Sequence, residues 1–104
     1  MSSERQERAA QELQEAADGF IGALRLAQGM NESAFERLRE AIIEVGSAWE
    51  SEDYLPKRVV NIIVGMFSWI DSASYLYEGG EAAAIKRAAM NVETLIFERV
   101  VPAR

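Results

Sequence analysis

No histidine and no cysteine occur among the 104 residues. Without histidine the chain lacks the commonest general base and the commonest transition-metal ligand. Without cysteine it has neither a disulfide framework nor a thiolate nucleophile. Together these absences exclude Ser-His-Asp triads, Cys-His pairs, Cys/His zinc sites and the Glu-x-x-His pattern of di-iron helical bundles. No cofactor is expected, and the chain reads as a non-enzyme.

Positive charge is also scarce. Eleven basic residues stand against 17 acidic ones, for a formal net charge of −6. The basic clusters Lys57-Arg58 and Lys86-Arg87 are two residues long. A surface that tracks nucleic-acid phosphates needs a larger basic footprint, so no nucleic-acid partner is expected.

Long apolar runs are few. The greasiest stretch, VVNIIVGMFSWI at 59–70, is flanked by Lys57-Arg58 and Asp71. It is about a dozen residues, against roughly 20 for a membrane span. The opening MSSERQERAAQELQEA has no apolar signal-peptide core. The expectation is a cytoplasmic protein with no membrane partner.

Proline occurs only at Pro56 and Pro102. What is abundant is Ala, Glu, Arg and Leu, which favour helix. The chain is 49% hydrophobic and 27% charged, the balance of a globular protein, and its length suits a single helical domain, 1–104.

Four amphipathic helices are expected, at roughly 3–28, 33–51, 55–78 and 80–100, forming an antiparallel four-helix bundle of the all-α class. Ser3 to Gln6 resembles a capping box, and Leu13, Ala17, Phe20, Leu24 and Ala27 mark one face of helix one. Asp18-Gly19 could break that helix. Ser33 to Glu36 offers a second capping box. Phe35, Leu38, Ile42, Val45 and Trp49 then repeat at 3-4-3-4 spacing. Pro56 suits the first turn of helix three, and Gly79-Gly80 its end. Ala82, Ile85, Ala89, Val92 and Ile96 line helix four.

Three polar patterns are candidates for function. Glu32, Glu36, Glu40 and Glu44 form a ladder opposite the apolar face of helix two. It reads as a solvated face or as an acidic docking strip for a basic partner. Glu12-x-x-Glu15 and Glu50-x-x-Asp53 are similar in spacing to the carboxylate clusters with which all-helical MazG-type nucleotide pyrophosphohydrolases hold magnesium. Here Glu15 points off the apolar face and Glu50 to Asp53 lies at a helix end, so the carboxylate-magnesium enzyme is the last of the alternatives.

Helix three poses the main question. Val59, Ile63, Met66, Ile70, Ala73 and Tyr77 form one seam. Ile62, Trp69 and Leu76 widen it on one side; Val60, Val64 and Phe67 widen it on the other. At about 100° per residue the apolar arc covers roughly 240°, far more than one buried face requires. The remaining strip is Asn61, Gly65, Ser68 and Ser72, read as solvent-facing. Helix four adds Met90 and Phe97, one heptad apart and off its seam.

This surplus implies a second contact surface. Val60, Val64, Phe67, Trp69, Met90 and Phe97 are the candidate interface, for a homodimer first and for another, unidentified protein next. A third option is a monomer with helix three sunk centrally beneath a broken helix one. The expected function is protein–protein interaction: a regulator, inhibitor, antitoxin or immunity-type factor, or a small subunit of a complex. The alternative is a binder of an apolar small molecule between helices, lined by Trp69, Phe67, Met66 and Trp49.

Overall fold

Ser3 starts the first helix as the pattern predicts. Its hydroxyl accepts from the Gln6 backbone N–H, and its own N–H donates to the Gln6 side chain, at 3.1 and 2.9 Å. The computed structural model describes residues 3–102, which form four α-helices: α1 Glu4–Arg25, α2 Glu32–Ala48, α3 Lys57–Ala73 and α4 Gly79–Arg99. A short 3-10 turn, Ser74–Leu76, extends α3. The chain is an all-α helical bundle, and no strand occurs among the described residues.

Helices α1 and α2 form one antiparallel hairpin, with Arg5 bonded to Glu44 and Phe20 against Phe35. Helices α3 and α4 form the second, with Asp71 beside Lys86. The hairpins stack so that α1 lies along α3 and α2 along α4, running in the same direction. Glu7 meets Arg58 at one end of the α1–α3 pair, and Leu24 meets Tyr77 at the other. Packing contacts join α1 to α2 and α3, and α4 to α3 and α2. The diagonals are therefore α1–α4 and α2–α3, and the 49–56 connection crosses the end of the bundle.

The core is drawn from all four helices. Leu13, Phe20, Leu24, Leu38, Ile42, Val59, Met66, Ile70, Ile85 and Val92 are fully buried. Burying such side chains is worth about 1.5–3 kcal/mol each before conformational entropy is subtracted. Polar ties close both ends. Gln6 donates to the Ala48 carbonyl at 2.9 Å. The Tyr77 hydroxyl donates to the Leu24 carbonyl and accepts from the Gly29 N–H, at 2.9 and 3.0 Å.

Several boundaries differ from the sequence-based expectation, each for a local reason. Helix α1 is unbroken through Asp18-Gly19, where Gln14 donates to Asp18 at 3.0 Å. It ends at Arg25 in a Schellman turn: Gln28 N–H bonds Ala23 and Ala27 N–H bonds Leu24. Ala27 takes the left-handed position, φ 58°, where glycine is usual. Helix α2 starts at Glu32 because Asn31 caps the Ala34 N–H, so Ser33 is not the cap. The regular part of α3 stops at Ala73, where Ser74 bonds back to the Asp71 carbonyl. Gly79 opens α4 rather than only ending α3.

Helix α3 buries Val59, Ile62, Met66, Ile70 and Ala73, with Ile63 half-buried. It is not sunk centrally: the rest of its apolar arc stays at the surface. Together with the 3-10 turn it spans Lys57–Leu76, 20 residues long and apolar enough by length and composition to cross a membrane. That exceeds the dozen residues of the apolar run, because the helical frame continues beyond it at both ends.

Candidate interaction surface

The antiparallel α3–α4 pair presents an apolar groove to solvent. Ile63 and Phe67 from α3 and Ile96 from α4 are partly or wholly buried and form its floor. Val60, Val64, Phe97 and Val101 form the walls, and the space between them is about 240 Å³. Val64 is 74% exposed and Phe97 60%. Met90, 62% exposed, lies one heptad before Phe97 on the same face of α4, beyond the groove lining. Apart from half-buried Phe67, the surplus read from the sequence is thus uncovered in the single chain, and five of its six residues share one face.

Trp69 is the sixth, and it lies elsewhere. Its side chain is on the α1 side of α3, where its ring packs over Gly65 in the space a Cβ would fill. The Asn61, Ser68 and Ser72 positions are exposed, as expected of a wet strip. Gly65 in the same strip is covered by the indole, a contact that the strip's polarity concealed.

Charge on the α3–α4 face is sparse. Glu93 lines the groove. At one end Lys86 sits 3.6 Å from Asp71 and 4.3 Å from the centre of the Tyr75 ring. Partial desolvation disfavours the Lys86 charge, but Tyr75 and Asp71 outweigh it and hold the ammonium pKa above its ordinary value.

The glutamate ladder of α2 is not one free strip. Glu44 accepts from Arg5 of α1 through both oxygens, at 2.9 and 3.0 Å. That hydrogen bond, with a smaller contribution from the guanidinium charge, lowers the Glu44 pKa against the opposing effect of burial. Glu36 pairs with Arg39 at 3.3 Å on its own helix. Glu32 and Glu40 are exposed. The spacing alone could not reveal that Arg5 would arrive from another helix.

The carboxylates with magnesium-like spacing are also accounted for. Glu12 and Glu15 both face Arg37 of α2, at 3.3 and 3.5 Å. Glu50 and Asp53 are exposed in the connection after α2. Among the described residues, no three acidic side chains gather into a metal-sized cluster.

On the opposite side of α3, the groove with α1 assembles polar residues that sequence separation hides. Gln14, Asp18 and Arg25 of α1 meet Arg58, Asn61 and Trp69 of α3 around a space of about 430 Å³. The one sequence signal for it is Gly65 placed one turn before Trp69. Scans against protein-family models, curated proteins and solved structures return no match for the chain.

Proposed function

We propose that the chain acts by protein–protein contact, as a homodimer joined through its α3–α4 face. It would serve as a non-enzymatic regulator, inhibitor or small subunit of a complex. The observation that carries this reading is the contiguous apolar groove with Val64 and Phe97 standing exposed on its walls. Contiguous exposed apolar patches larger than a few hundred Å² mark interaction sites on soluble proteins.

Sparse charge on this face permits a second copy as the occupant. Two chains of net charge −6 repel each other on most approaches. On this face the Lys86–Asp71 pair is neutral and Glu93 is the acidic group lining the groove, so apolar burial meets little opposition. The face also offers both projecting side chains and a recess to receive them. A two-fold axis can therefore pair it with itself. Burial of this face against a second copy would also shield the most apolar helix from water without a membrane.

The absence of native cysteine makes a direct test simple. A spin label on Ser68→Cys, exposed on α3, should give a short, well-defined distance between copies. A label on Gln11→Cys, exposed on α1, should give a longer one. Featureless decay from both labels would contradict the dimer.

A further inference from the structure

We propose that the α1–α3 groove beside Trp69 binds a flat organic molecule bearing one anionic group, a carboxylate or a phosphate ester. The site does not rest on the dimer reading, since it lies on the other side of α3.

The groove has the makeup of a small-molecule site. Its space of about 430 Å³ is within the range of known ligand pockets, roughly 300–1,000 Å³. Ala17, Ile21 and Ile62 give it an apolar floor. At Gly22 the backbone bears no side chain, and the place a Cβ would occupy is open. Trp69 is 37% exposed with its ring laid over Gly65, so a flat molecule can stack on the face turned outward.

The polar groups select charge. Arg25 and Arg58 both line the groove, against a single carboxylate, Asp18. Asp18 already accepts from Gln14 at 3.0 Å. Arg58 is bonded to Glu7 at 2.6 Å. Arg25 is exposed and takes part in no ion pair among the described residues. Its guanidinium is available to grip a carboxylate or phosphate through paired N–H donors. Glu7 cancels Arg58, so the preference for an anion over a cation of the same shape rests on the unpaired Arg25 guanidinium.

Three probes share an indole body and differ in charge: indole-3-propionate, 3-methylindole and tryptamine. Phenyl phosphate supplies the phosphate ester. Each is titrated into 15N-labelled protein while the two tryptophan indole N–H signals are followed. Trp49 is buried outside this groove and serves as the internal reference. Trp69→Phe assigns the signals.

The expected result is a saturable shift of Trp69 with indole-3-propionate, phenyl phosphate or both. Trp49 should stay fixed, and tryptamine should bind at least tenfold more weakly. Saturation by one anion alone identifies the headgroup. Arg25→Gln should weaken binding at least fivefold while leaving the rest of the spectrum in place. The proposal is overturned if neither anion gives a saturable Trp69 shift, if tryptamine binds equally well, or if Arg25→Gln binds unchanged. Loss of the dimer in a Phe97→Glu variant with this binding intact would show that the two sites are separate.

Discussion

The indole of Trp69 lies back across Gly65, one turn earlier on α3, where a side chain at position 65 would have to be. Gly65→Ala should therefore move the ring outward. The ring is partly exposed and free to swing, so lost packing is set against a helix-propensity gain of about 1 kcal/mol. Stability should stay within about 1 kcal/mol of wild type. Acrylamide quenching of tryptophan emission should rise, since Trp49 is buried and reports little. Unchanged quenching would place the indole elsewhere.

Gly46 offers the opposite case. It is buried on α2 against the end of α4, and a Cβ there would run into the backbone carbonyl of Arg99. Backbone cannot swing aside as a side chain can. Gly46→Ala should cost about 1–3 kcal/mol in urea unfolding, despite alanine's better helix propensity. A variant as stable as wild type would mean that α2 and α4 are farther apart at this end.

Ala27 holds a left-handed conformation, φ 58°, that costs a residue with a side chain about 1 kcal/mol. Ala27→Gly should stabilise the protein by about 0.5–1 kcal/mol and raise Tm by several degrees. A lowered Tm would argue against the Schellman turn.

The Arg5–Glu44 pair gives a pH dependence. Its hydrogen bond holds the Glu44 pKa below the ordinary glutamate value, so the folded state favours the carboxylate. The stability it contributes is present above the unfolded pKa and is lost as pH falls through the folded one. Wild type should exceed Glu44→Gln at neutral pH, and the two should converge as pH drops below the carboxylate range. Both side chains are about half exposed, so added salt should narrow the gap as well. A gap independent of pH would contradict the pairing.

The fold was legible because its signals are local. The 3-4 spacing from Phe35 to Trp49 and the Ser3–Gln6 capping box specify helices without reference to the rest of the chain. The stacking of the hairpins was not legible, since α1 beside α3 depends on contacts such as Leu24 with Tyr77, far apart in sequence. Arg5 reaching Glu44 is a fact of the same kind. Helix ends shifted where one side chain decided the cap, as Asn31 did for α2. The apolar surplus of α3 could be counted from a helical wheel, but its division into an α4 side with Val64 and Phe67 and an α1 side with Trp69 required the neighbours.

The pairing of the α3–α4 face with a second copy is tested most directly by light scattering on wild-type and Phe97→Glu chains at equal concentration. Phe97 is mostly exposed, so the variant should keep wild-type helical circular dichroism. Wild type should have a mass of twice 11.6 kDa and the variant a mass of 11.6 kDa. A wild-type chain at 11.6 kDa, or a folded variant still at twice that mass, would contradict the α3–α4 dimer.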